Sequence, residues 1–157
     1  MAVQPVPEGY HTITPYLAVE NASEAIDFYK RALGAKERVR MPGPGGSVMH
    51  AELEIGDSVV MLSDPFPQAS TKPPKELGGT SVSIMTYVDN IDSLYKQAID
   101  AGATSLMEPD DMFWGDRFGS IQDPFGHSWT IATHVEDVSP EEMEKRSQEF
   151  FAAMAGG

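Results

Sequence analysis

The spacing of apolar residues changes several times along the chain, and each change marks an element. HTITPYLAV, residues 11–19, sets Ile13, Pro15 and Leu17 against Thr12, Thr14 and Tyr16, the period of two that a half-buried strand requires. Pro15 suits a central strand poorly, because it has no N–H to give to a ladder. The period then becomes helical: Ala25, Phe28, Tyr29 and Ala32 share one face, Asn21 or Ser23 caps the start, and Gly34 ends the helix after Leu33. ERVRMPGPGGSVMHAELEIGDSVVMLSD, from Glu37, reads as three short strands parted by PGPGG and by the tight turn Ile55-Gly56-Asp57. In the middle strand Met49, Ala51, Leu53 and Ile55 form the helix-facing side, while His50, Glu52 and Glu54 point the other way.

This βαβββ grammar is written twice. VENASEAIDFYKRALGA from Val19 is echoed by VDNIDSLYKQAIDAGA from Val88, and GDSVVMLSD from Gly56 by GHSWTIATH from Gly126. The second copy supplies TSVSIMTYV, a helix from Ile91 to Ala101 ended by Gly102, then TSLMEP, RFGSIQD and SWTIATHV. The expected class is α+β, with modules at 10–64 and 80–135 and a Pro- and Gly-rich linker at 65–79. A last helix spans 139–155, with Ser139 as N-cap, Pro140 at its first position and Glu142 at its third. Its stripe of Met143, Ser147, Phe150, Phe151 and Met154 is expected to dock on the body or on a second subunit.

Composition narrows the chemistry. With no cysteine, a thiolate metal site, an iron–sulfur cluster and a cysteine nucleophile are excluded. The net charge of -13 argues against nucleic acid, whose phosphates are met by Lys and Arg. Residues 1–74 hold 6 basic and 9 acidic side chains and residues 75–157 hold 5 and 15, so the acidity sits in the second half. It serves solubility or attracts a cationic ligand. MAVQPVPEGYH has neither the basic start nor the apolar core of a signal peptide, and no apolar run reaches membrane-spanning length, so a cytoplasmic protein without a membrane partner is expected. GPGGS lacks the Lys of a phosphate-binding loop, and neither GxSxG nor GxGxxG is present.

The paired modules, the phrase AIDFYKRALGA and the turn DPFGHSW resemble the vicinal oxygen chelate superfamily: glyoxalase I, bleomycin-resistance proteins, fosfomycin-resistance enzymes and extradiol dioxygenases. TPYLAVENASEAIDFY, HAELEIGDSVVMLSD and FWGDRFGSIQDPFGHSW resemble its PhnB-like branch. The resemblance implies sheets curled into a cup, helices on the outer face, a ligand in the concavity and, where a metal is used, ligands from the first and last strands of each module. Here those positions are Thr14, Met61, Ser83 and Thr130, none of them a useful ligand for zinc, nickel or iron. No metal or other cofactor is therefore expected.

The expected wall of the cup includes Tyr16, His50, Glu52, Met61, Met85 and Tyr87, a mixed surface suited to a medium-sized organic molecule. In DMFWGDRFGS, Trp114 and Phe118 either stack on a ligand that Arg117 grips, or plug the structure, with Arg117 paired to Asp116, Asp123 or Glu52. Of the histidines, His11 points away or lies outside the sheet, His127 is a turn or packing residue, and His134 sits at a strand end. His50 and Glu52 are the candidate acid and base. The sequence thus points to a homodimeric, metal-free binding or sequestering protein, with a lyase or isomerase acting next to a carbonyl as the alternative.

Overall fold

The computed structural model describes residues 2–157. Its strands are β1 (Tyr16–Ala18), β2 (Lys36–Pro42), β3 (Val48–Ile55), β4 (Ser58–Ser63), β5 (Ser83–Tyr87), β6 (Thr104–Asp111), β7 (Asp116–Gln122) and β8 (Ser128–His134). The helices are α1 (Ala22–Leu33), α2 (Pro74–Leu77), α3 (Ile91–Ala101) and α4 (Pro140–Ala155). The fold is α+β, with two four-stranded mixed sheets in the orders β1-β4-β3-β2 and β5-β8-β7-β6. β1 and β5 run parallel to β4 and β8, and the other pairs are antiparallel. Each sheet carries its helix on one face, and α1 packs against α3.

Local chemistry fixes the helix ends in the same way twice. Asn21 and Asn90 each accept from the N–H three residues on, at 3.4 and 3.0 Å, and Gly34 and Gly102 take the positive φ that ends each helix. A side chain at the end of the last strand meets the first helical N–H: Asp64, just after β4, accepts from Ala22 at 3.0 Å, and Thr133 of β8 from Ile91 at 2.9 Å. Asp64 also accepts from the N–H of Val48 at 2.7 Å, tying β3 to the same carboxylate.

Two expectations about strands change. β1 is only three residues long, because Pro15 ends the ladder; its carbonyl still accepts from Met61 N–H at 2.9 Å, while residues 11–15 lie outside the sheet. In β3 Ala51, Leu53 and Ile55 face the core as expected, but Val48 takes the place of Met49, which is exposed, because the register slips between Met41 and Pro42 and restarts the alternation. The linker also contains a single helical turn, α2, whose Pro74 is buried.

The core joins the modules through the DPFGHSW turn. The buried Asp123 carboxylate accepts from Tyr29 Oη at 2.6 Å, Trp129 Nε1 at 2.9 Å, and the backbone N–H groups of Phe125 and His127 at 2.9 Å each. Tyr29 comes from α1, and Phe125 packs edge-on against Phe28 of the same helix. His127 Nε2 donates to the Ala18 carbonyl at 2.9 Å, as a carbonyl partner demands. The turn of the second module is therefore built into the first. No helix among the described residues is long and apolar enough to cross a membrane.

Candidate functional site

Two hollows adjoin the cup. The larger, a groove of about 710 Å³ where the sheets meet, is lined by Ile13 and Pro15 ahead of β1, by Met85 and Tyr87 of β5, and by Leu33 and Leu94 of the helix layer. It lies beside β1 and β5, the outer strands of their sheets. The smaller, about 550 Å³, lies between the N-terminal segment and the first sheet, with Pro5, Val6, Pro7, Tyr10, Glu52 and Met61 in its walls. His11 and Thr14 border both.

The first sheet presents a polar chain on the face away from α1. Tyr16 Oη lies 2.9 Å from His50 Nδ1, and His50 Nε2 lies 3.2 Å from Glu52 Oε1. A carboxylate only accepts, so Nε2 carries the hydrogen and a neutral ring leaves Nδ1 to accept from the tyrosine. Tyr10, which shares the smaller hollow with Glu52, and then His50 hold the Glu52 carboxyl below its ordinary range. Tyr10 itself is pushed up, first by burial and then by Glu52. Arg38 stands over the Tyr10 ring, 5.1 Å from its centroid. A bulge between Glu37 and Val39 leaves Arg38 without a partner in the ladder.

The second sheet carries a different chain. Tyr87 Oη donates to Asp116 Oδ2 at 2.9 Å; Asp116 Oδ1 and Asp137 Oδ1 each lie 2.8 Å from a ring nitrogen of His134. Both ring nitrogens can donate only when the ring is protonated, and Asp137 and then Asp116 favour that form, raising His134 above its ordinary range.

Tyr16, His50 and Glu52 are thus brought together, Met61 lies beside them, and Met85 and Tyr87 face the groove. The rim expected from DMFWGDRFGS does not assemble. Arg117 lies on the helix-bearing face, where Nε and Nη2 grip Asp92 at 2.8 and 2.9 Å and Nη1 reaches Asp111 at 3.2 Å. Its neighbour Phe118 must face the other way in an extended strand, and it packs edge-on against Trp114. Phe113 joins Trp114 to Phe150 of α4, and Arg146 clamps that helix through Glu136 at 2.8 and 2.9 Å. The plug alternative therefore fits the aromatic residues, with Asp92 and Asp111 replacing the partners expected for Arg117.

The family's metal positions do not fit a metal. Ser83 Oγ and Thr130 Oγ1 satisfy each other at 2.7 Å, Met61 offers a thioether and Thr14 a hydroxyl. No group of three His, Asp or Glu among the described residues is placed to hold an ion. Sequence reasoning missed Tyr10 and Arg38. A turn signal, Gly9 with φ +82 between Pro7 and Tyr10, marks where the segment folds back onto the sheet.

A sequence profile of the Glyoxalase/Bleomycin resistance protein/Dioxygenase superfamily matches residues 9–131. An uncharacterized protein of Mycobacterium bovis is 42% identical over 135 residues, spanning 84% of this chain and 89% of its own. Protein YjdN of Escherichia coli is 24% identical over 140 residues, 76% of this chain and 92% of its own. Among solved structures, TioX from Micromonospora sp. ML1 superposes with a TM-score of 0.65 at 26% identity, over 80% of this chain and 99% of that one. The PhnB protein from Bacillus cereus shares the fold, with a TM-score of 0.61 at 21% identity over 78% of this chain and 99% of its own. The chain belongs to the glyoxalase, bleomycin-resistance and dioxygenase superfamily.

Proposed function

We propose that this protein binds a medium-sized organic molecule in the groove between its modules, without the metal on which many members of its family rely. The groove carries the reading: about 710 Å³ of mostly apolar space, with Met85 and Tyr87 on one bank and Ile13 and Pro15 on the other, falls in the range of small-molecule pockets. The resemblance to bleomycin-resistance proteins supports a binding or sequestering role, and the acidic charge favours a cationic ligand. As a dimer, the protein would cover the exposed Phe150, Phe151 and Met154 of α4.

Native mass spectrometry of the purified protein, with elemental analysis of the same sample, tests this. The expected result is metal-free protein carrying a retained organic mass, which Met85→Arg removes by filling the groove. A stoichiometric transition metal overturns the metal-free reading, and a mass retained equally by Met85→Arg overturns the groove as its seat.

The Tyr16–His50–Glu52 chain supports a second reading, a lyase or isomerase with Glu52 as general base. A carboxyl held below its ordinary range is a weak base near neutrality. Its basicity would rise when substrate displaces the groups that hold it down, Tyr10 and His50. Glu52→Gln should then abolish turnover with little loss of binding, and undiminished turnover refutes the role.

A further inference from the structure

Strand β8 ends on a histidine that joins the second sheet to the strap, residues 135–139, leading into α4. His134 Nδ1 lies 2.8 Å from Asp116 Oδ1 of β7, and its Nε2 lies 2.8 Å from Asp137 Oδ1 of the strap. The two carboxylates stand in different surroundings. Asp116 is buried, and its other oxygen takes the Tyr87 hydroxyl from β5, whereas Asp137 is fully open to water. The charges next in line are already matched: Glu136 of the strap takes Arg146 of α4 at 2.8 and 2.9 Å, and Arg146 also holds Glu142 at 2.9 Å. Among the described residues the ring bonds to no other ionisable side chain. Before Asp137 the strap is pinned, since Val135 and Glu136 both donate their N–H to the Gly115 carbonyl, at 2.9 and 3.0 Å. Beyond it Ser139 already belongs to the helix, capping the Glu142 N–H at 3.2 Å. Asp137 is therefore the attachment point on which the start of α4 hangs.

A neutral imidazole has one N–H and one lone pair, so it can serve only one of two carboxylates; the other contact sets lone pair against lone pair. The contact that opens is the one water can replace. Asp116 is out of reach of water, so the hydrogen stays on Nδ1 and Asp137 lets go. We propose that His134 is a proton-operated clasp: protonated, it holds the strap and the first turn of α4 to the second sheet, and on losing its proton it frees that stretch. Asp137 first and Asp116 second raise the ring above its ordinary range, so the clasp is closed below about pH 6.5 and opens as pH rises through the folded value. The release is local. Arg146 Nη1 reaches the Phe113 carbonyl at 3.4 Å and Phe150 packs on the Phe113 ring, so the rear of α4 stays docked while its leading turn loosens. The device needs no ligand and no second subunit, so it stands or falls apart from binding in the groove.

The test is NMR of the full-length, isotope-labelled protein across a pH titration, reading the His134 ring nitrogens for protonation and the heteronuclear NOEs of backbone amides for mobility. The ring should pass from doubly protonated to protonated on Nδ1 alone. The NOEs of Asp137, Val138 and Glu141 should fall with the same midpoint, while that of Phe150 stays level. Asp137→Ala should lower the ring midpoint and leave the strap mobile at every pH. Asp137→Asn should rescue it, because an amide can donate to the neutral ring and accept from the charged one, so the strap should stay ordered throughout. A ring that titrates while the strap NOEs hold constant overturns the inference, as does a neutral ring that keeps its hydrogen on Nε2. An Asp137→Ala profile that matches the wild type, in ring midpoint or in strap mobility, overturns it as well.

Discussion

Removing the Asp123 carboxylate should cost more stability than any other single truncation of a polar side chain in this protein. Asp123→Ala strands four donors at once: the Tyr29 hydroxyl, the Trp129 indole N–H and two backbone N–H groups. The backbone pair lies in a turn where water can enter, so only the first two are counted. Tyr29 and Trp129 are almost fully buried, and an orphaned buried donor costs about 1–3 kcal/mol, which gives roughly 4 kcal/mol for the pair. For a chain of this size each kcal/mol moves the midpoint by about 2–4 °C, so a fall of roughly 8 °C or more is expected. Tyr29→Phe deletes one donor and leaves the carboxylate three, so about 2 kcal/mol is expected. The double variant should lose less than the sum, because no hydroxyl is then left stranded. Urea unfolding of the four proteins measures all of this. A loss below about 1 kcal/mol for Asp123→Ala, or strict additivity in the cycle, would refute the claim that this carboxylate fastens the modules together.

Other expectations are simpler. Arg117→Ala should barely move the melting midpoint and leave binding at the groove unchanged, since its partners are exposed and neither it nor they line the groove; an affinity change of tenfold would return Arg117 to the site. His134 is raised above its unfolded value of about 6.5, so its contribution is complete below that pH and lost as pH rises through the folded pKa. The wild type should therefore lose stability relative to His134→Gln across that alkaline window, and parallel melting profiles would contradict it. Gly115→Ala should destabilise by more than about 2 kcal/mol, because φ is +97 and the new methyl would sit 2.1 Å from the Glu136 carbonyl; Trp114 fluorescence should report the loosening of α4, and an unchanged spectrum and midpoint would argue against it.

What the sequence disclosed was local. Asn21 with Gly34, and Asn90 with Gly102, bracket their helices by chemistry that acts within a few residues, and the two βαβββ units stand out because the same signals recur. Bulges carry no such mark. The extra residue at Arg38 and the slip near Met49 are set by the neighbouring strand, and each shifts the alternation of the residues beyond it. Tyr10 meets Arg38 from a distant part of the chain, a pairing that no period or motif announces. The Arg117 rim failed for a reason the sequence did contain: adjacent residues of a strand point to opposite faces, so Arg117 and Phe118 were never free to grip one ligand together.

The Asp-Pro-Phe-Gly turn also bears on how the chain is made. Synthesis delivers α1 and β1 to β4 first, yet the acceptor for Tyr29 and the ring that packs on Phe28 arrive with residues 123 and 125. At about 5–20 residues per second, the interval from Asp64 to Phe125 lasts roughly 3–12 s. Through that time the leading half emerges with an open seam in its core, so a message cut short before the turn yields a species suited to chaperones and proteases rather than half a working protein.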